Sequence, residues 1–321
     1  MPRNRLISAG VAACLGAALF LVGCDSAPRV SHSPPASSAN PTSADPVTPA
    51  SSGPADLAAA IIDFGGRLKP TAAYRDPTAE ERSRVRDAVD LLLVGRDGLP
   101  KATGLLTAAG YRSTVGTDSA TGREYAIYQT EPGSDQPWGM LVVDLSRPAR
   151  LAIEVPHPNS DLQTEGLGAL LFRAVPGSVL LVAGSHRRAA KNRADAAHNP
   201  DGIFQVVAGQ FARARVNQIQ LHGFAEQSLP GTDAVVSNGQ RRPNPPLRRV
   251  ADALQGAGFA TCRAWTEKCG QLEGTTNVQA DEARRRQSVF IHVEITGPVR
   301  RDPSRGAALV AALATADLPA D

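Results

Sequence analysis

Three apolar, β-branched runs in the second half of this chain each carry a histidine at or near their end, and they restrict the fold more than any other feature. They read Ile153-Glu154-Val155-Pro156-His157, Gln218-Ile219-Gln220-Leu221-His222-Gly223 and Val289-Phe290-Ile291-His292-Val293-Glu294-Ile295. Short runs of this composition form buried strands. Helical spacing predicts helices over 161–174, 203–214, 247–257 and 306–314, alternating with strands over 139–144, 149–155, 178–183, 217–221, 234–237 and 288–295. Such alternation predicts an α/β fold in three layers, a mostly parallel twisted sheet with helices on both faces. No glycine-rich phosphate loop or dinucleotide fingerprint follows any strand, which argues against nucleotide binding of those kinds.

The N-terminus reads as an export signal. Arg3 and Arg5 precede an apolar stretch over 6–22, and Leu21-Val22-Gly23-Cys24 has the pattern of a bacterial lipobox. At roughly 17 residues the stretch is short for a membrane span. A signal peptide over 1–23 is therefore expected, with Cys24 the lipidated mature N-terminus carrying acyl chains such as palmitate and holding the protein on the extracytoplasmic face of the cell membrane. From 24 to 54 the chain is Ser, Pro, Ala and Thr with almost no large apolar side chain, a tether that cannot offset its ordering entropy. Loss of Arg3 and Arg5 takes the formal net charge from +3 to about +1, so no strong field points to nucleic acid. Of four cysteines, Cys14 leaves with the signal and Cys24 takes lipid, leaving Cys262 and Cys269 as a close pair. In an oxidising compartment these are expected to form a disulfide.

The folded remainder divides into a small N-terminal α+β subdomain over 55–137, a metal-dependent, hydrolase-like α/β domain over 138–316 and a tail over 317–321. In the subdomain a helix over 55–68 precedes a second one that Asp76 or Thr78 can cap, with Pro77 suited to the first turn and Glu80 and Glu81 to the helix N-terminus. A helix over 99–109 and a hairpin pairing 111–115 with 124–130 follow. No histidine occurs here, and the expected role is packing or a substrate rim.

The chemistry gathers after residue 156. His157 stands at a strand end, and a helix beginning near Ser160 or Asp161 would turn Asp161 or Glu165 back toward it, one turn apart on one face. His222 ends the next such strand and is followed by Gly223, which allows a sharp turn. Histidines with one carboxylate and an open position are the inventory of a catalytic zinc site. His292 and Glu294, two apart on one strand, project from one face. A carboxylate in that apolar setting is costly without a partner, so Glu294 is the candidate general base, with an ion pair to Arg300 as the alternative. Between these strands lie Ser185-His186-Arg187-Arg188 and Asp195-Ala196-Ala197-His198. Arg187 or Arg188 can clamp a substrate carboxylate in bidentate fashion, and His198 can bind metal or stabilise an oxyanion; with His186 they form the candidate substrate-binding set.

The order of these pieces resembles the zinc carboxypeptidase-like hydrolases that include the N-formylglutamate amidohydrolase and phage polyglutamate hydrolase families. The resemblance covers roughly 141–300. It implies a mononuclear Zn²⁺ held by His157, by Asp161 or Glu165, and by His222, with Glu294 and Arg300 as catalytic groups. The His-x-x-Glu of the carboxypeptidases is absent, because the acids follow His157 by four and eight residues. The expected function is hydrolysis of an amide bond in a carboxylate-bearing small molecule or peptide, of cell-wall or polyglutamyl type, by a membrane-anchored lipoprotein. The alternatives are a metal-dependent esterase or phosphoesterase, and a metal- or ligand-capturing lipoprotein without catalysis. No Gly-x-Ser-x-Gly elbow is present to support a serine hydrolase.

Overall fold

A computed structural model describes residues 56–316 and 318. The lipobox, Cys24, the tether and most of the tail lie outside the described residues. Among the described residues nine strands form one sheet: β1 (Arg112–Thr117), β2 (Glu124–Gln129), β3 (Met140–Asp144), β4 (Leu151–Val155), β5 (Ser178–Val182), β6 (Asn217–Phe224), β7 (Ala234–Ser237), β8 (Thr261–Arg263) and β9 (Phe290–Thr296). Their order is β1-β2-β3-β5-β4-β6-β9-β7-β8. The central four, β5, β4, β6 and β9, run parallel. Antiparallel pairings join β1, β2 and β3 to one side and β7 to the other. The expected α/β architecture is present, and the strands of the expected N-terminal subdomain extend this same sheet.

Strand parity sorts the side chains. Ile153, Ile219 and Ile291 stand in register across β4, β6 and β9, each with no exposed surface. With Val155, Leu221, Val293 and Ile295 they pack under α1 (Leu57–Gly66), α4 (Thr164–Ala174), α7 (Pro245–Gly256) and α10 (Pro303–Thr315). Truncating one such isoleucine to alanine costs roughly 2–5 kcal/mol. The opposite face takes α2 (Ala79–Val94), α3 (Leu99–Ala108) and α6 (Ile203–Arg213) over the β3 and β5 side. Over β6 and β9 that face is polar. Glu154, Gln220 and His292 occupy one cross-strand row, and His222 and Glu294 the next, beneath α8 (Val278–Arg286) and the loop leading into it.

Several boundaries differ from the periodicity. Thr78 proves to be the cap of α2, its hydroxyl accepting from Glu81 N–H while the Glu81 carboxylate accepts from Thr78 N–H. Helix α8 has no counterpart in the sequence periodicity, because its surface of Arg284, Arg285 and Arg286 shows little apolar repeat. Helix α4 starts at Thr164 rather than at Asp161. Asn159 and Gln163 adopt left-handed backbone at φ 56° and 69°, so the chain makes a tight turn before the helix begins. Short α5 (Ala189–Asn192) is a turn with Ala190, Lys191 and Asn192 all at positive φ, and α9 (Gly297–Arg301) links β9 to α10.

Candidate metal centre

The turn after β4 brings Asp161 back over His157. Ser160 and Asp161 N–H both donate to the His157 carbonyl, at 3.1 and 3.0 Å, and Asn159 Nδ2 ties the turn to the Leu68 carbonyl at 2.8 Å. The Asp161 carboxylate then lies 3.0 Å from His157 Nδ1 and 3.4 Å from His222 Nδ1, with Gly223 N–H donating to it at 3.2 Å. All three side chains are less than a tenth exposed.

The other nitrogen of each ring faces an acceptor. His157 Nε2 meets Asp195 Oδ1 at 2.8 Å, and His222 Nε2 meets Gln220 Oε1 at 2.7 Å. Facing an acceptor at Nε2, His222 can turn a bare Nδ1 toward Asp161, whereas His157 lies between two carboxylates, Asp161 at Nδ1 and Asp195 at Nε2. Two imidazole nitrogens and a carboxylate oxygen around one point call for positive charge among them, which protons, a metal ion or the nearby Arg187 Nη1, 3.3 Å from His157 Nδ1 and 3.8 Å from Asp161 Oδ1, can supply. Ligands on a tetrahedral zinc at 2.0–2.2 Å are roughly 3.3 Å from one another, which the observed 3.0 and 3.4 Å match. Outward bonds to a carboxylate and an amide carbonyl are also what metal-binding histidines make. The residues present fit Zn²⁺.

Without a metal, protons answer the same crowding. Burial works to lower the His157 pKa, but Asp161 and Asp195 outweigh it and hold the ring above its usual range. Burial works to raise Asp161, but its bonds to His157 and His222 bring it well below the carboxylate range. Burial lowers His222 to about 4, with the neighbouring His157 charge adding to the effect.

Glu294 lies beside His222 in register, its side chain 13% exposed. Burial first, and the Asp161 charge second, push it up to about 8, and its Oε2 has no hydrogen-bond partner. His292 stacks 4.5 Å from His222, with Nε2 4.0 Å from Glu294 Oε1 and Nδ1 unpartnered. His222, His292 and Glu294 form a second, looser group of potential ligands. These side chains, with Arg187 and His198, open onto a cavity of about 210 Å³ roofed by residues 271–277. The roof is close: a Cβ on Gly274, whose φ is +63°, would stand 2.9 Å from the His292 ring.

The structure separates residues that the sequence grouped. Asp161, not Glu165, faces the histidines. Because α4 begins after Asp161, the two acids do not share a helical face, and Glu165 is instead buried against Gly65 of α1. Arg300 makes no ion pair with Glu294 among the described residues; its guanidinium donates to the carbonyls of Ile295, Leu162 and Phe224, so it holds backbone around the site. Arg187 is already engaged, its Nη2 2.7 Å from Asp195 Oδ2 and its Nη1 3.3 Å from His157 Nδ1. His198 sits at the rim between Asp195 Oδ1 at 3.1 Å and Thr276 Oγ1 at 3.1 Å. His186 turns away, accepting from Arg188 N–H at 3.1 Å. Sequence reasoning assigns no role to Asp195 or Gln220. The available signal for Gln220 was a polar residue two positions before His222, on the same face of a buried strand. Cys262 and Cys269 are bonded to each other, as expected.

No family model matches the chain, and no curated protein matches it. Among solved structures it is similar to a bacteriophage poly-γ-glutamate hydrolase, at 13% identity and a TM-score of 0.40 over 55% of this chain and 86% of that one. It is also similar to zinc-free YndL, at 13% identity and 0.38 over 56% and 89%. An aspartoacylase family protein from Mesorhizobium loti gives 11% and 0.35 over 64% and 67%.

Proposed function

We propose that this chain is a zinc-dependent hydrolase of an amide bond in a carboxylate-bearing substrate, exported and anchored to the outer face of the membrane through Cys24. The observation that carries the reading is the convergence of His157 Nδ1, Asp161 Oδ2 and His222 Nδ1 on one point, with the largely buried carboxylate of Glu294, its Oε2 without a hydrogen-bond partner, beside it. Zinc held there supplies Lewis acidity toward a carbonyl and toward water. Glu294 accepts the water's proton. Its pKa, raised by burial, falls again when a dication lies nearby, which readies it as a base at neutral pH. Arg187 reaches the cavity from its Asp195 anchor, placed to stabilise negative charge growing on the carbonyl oxygen.

The carboxylate in the substrate is supported by a second hollow of about 550 Å³ that shares Gln271 and Thr275 with the catalytic cavity and carries Arg241 and Lys268. Neither cation has an ion-pair partner among the described residues. Export is supported by the Cys262–Cys269 disulfide, which belongs to an oxidising compartment.

Glu294 separates catalysis from metal capture, since capture has no use for a buried base. Glu294→Gln should keep near one equivalent of zinc and lose amide hydrolysis by about 10²–10⁴-fold, whereas His157→Ala should lose both. Equal turnover by Glu294→Gln would remove it as the base. A zinc-loaded parent inert toward a broad amide panel would leave capture as the function.

A further inference from the structure

Strand β6 sets Gln218, Gln220 and His222 at alternate positions on one face, and all three are almost wholly buried, as is Glu154 opposite them. Buried carboxamides and a buried carboxyl are costly unless every donor meets an acceptor. Here they do, and in one direction only.

The direction is set by backbone groups that cannot change role. Asn277 Oδ1 accepts from Ala280 N–H at 2.9 Å as the cap of α8, so Asn277 must turn Nδ2 toward Gln220 Oε1, at 2.5 Å. Gln279 Nε2 donates to the Ala196 carbonyl at 2.9 Å, so its Oε1 must receive Gln220 Nε2, at 3.1 Å. Glu154 Oε2 accepts from Gln220 Nε2 at 2.8 Å. Gln218, oriented with its nitrogen on the Ala208 carbonyl at 3.0 Å, donates to Glu154 Oε1 at 2.9 Å. Turning the Gln220 amide over would place donor against donor at Asn277 and acceptor against acceptor at Gln279, both held by backbone groups, and would take Nε2–H away from Glu154 Oε2. Its oxygen is thereby held toward His222.

We propose that Gln220, locked by Glu154, Asn277 and Gln279, is a positioning residue that fixes His222 as its Nε2–H tautomer before any metal binds, so that Nδ1 offers its lone pair to the ion. The inference rests on the reading of His222 as a zinc ligand. An amide interposed between Glu154 and the ring aligns its dipole with the imidazole N–H, and bonds of that kind both orient a ligand histidine and strengthen its donation. A role in packing alone would leave the choice of tautomer to chance.

The test has two arms. In the metal-free, full-length protein at neutral pH, ¹⁵N NMR of the His222 ring should show Nε2 protonated and Nδ1 bare; an Nδ1–H ring, or an even mixture, overturns the proposal. In zinc competition against a chelator, Gln220→Leu should bind about 10–100-fold more weakly than the parent, and parental affinity in a folded Gln220→Leu overturns it as well. If that variant does not fold, the NMR arm on the parent decides. A parent that shows the Nε2–H ring yet binds no zinc would sink the metal reading and leave the positioning intact. A parent that binds zinc with an Nδ1–H ring in the metal-free state would do the reverse.

Discussion

Asp195 backs the candidate zinc site, and removing it should weaken metal binding without touching a proposed ligand. Its Oδ1 receives His157 Nε2 at 2.8 Å and His198 Nδ1 at 3.1 Å, while Oδ2 receives Arg187 Nη2 at 2.7 Å. Asp195→Ala removes all three bonds. The consequence is sharpest at His157, which is only 1% exposed, so that its Nε2–H has no water to turn to and an unsatisfied buried donor costs about 1–3 kcal/mol. The ring can escape that cost by rotating or by moving its proton to Nδ1, and either change removes the lone pair that faces the metal. Loss of an outward partner of this kind lowers metal affinity by about 10–100-fold, or about 1.4–2.8 kcal/mol at 1.4 kcal/mol for each factor of ten. Asp195→Asn should fall between parent and Ala, because an amide oxygen can still accept from His157 while the amide nitrogen cannot pair with Arg187. Competition with a chelator of known zinc affinity measures all three proteins. A folded Asp195→Ala that binds zinc as tightly as the parent would refute the argument.

Two further predictions concern the frame around the site. Cys262 and Cys269 lie seven residues apart, and closing so short a loop restricts the unfolded chain by about 2.4 kcal/mol; the double Cys→Ala variant should lose about that much in urea unfolding, and an unchanged midpoint would contradict it. The Glu81 carboxylate takes two bonds from Arg75 at 2.8 and 2.7 Å, one from Thr78 N–H at 2.7 Å and one from Gln136 at 3.1 Å. The Arg75 bonds, against the effect of burial, hold its pKa well below the usual range. A lowered folded pKa means that the stabilisation is complete above the unfolded value of about 4.3 and fades as pH falls below it. The stability gap between parent and Glu81→Gln, measured by denaturant at pH 7 and again near pH 3, should therefore shrink; a constant gap would show that the charge contributes nothing.

Much of the α/β frame was legible along the chain because strand parity is local. In Ile153-Glu154-Val155, Gln218-Ile219-Gln220-Leu221 and Ile291-His292-Val293-Glu294 the apolar residues fall on one face, and the period of two alone sends Glu154, Gln220, His222, His292 and Glu294 to the other. The pairing of Cys262 with Cys269 was legible for a similar reason, since nothing nearer competed. Asp161 against Glu165 was not, because the choice turned on where α4 begins, and that depended on Asn159 and Gln163 accepting left-handed backbone and on a bond from Asn159 to Leu68, 91 residues away. Asp195 reaches His157 across 38 residues, and Glu154 reaches Gln220 across 66. Those meetings depend on β4 lying beside β6 and on a left-handed turn at Ala190–Asn192. The order of strands in a sheet is settled by long-range pairing and by crossover connections rather than by any one segment, so the partners that hold each candidate ligand ring and choose its tautomer exist only once the whole sheet is assembled.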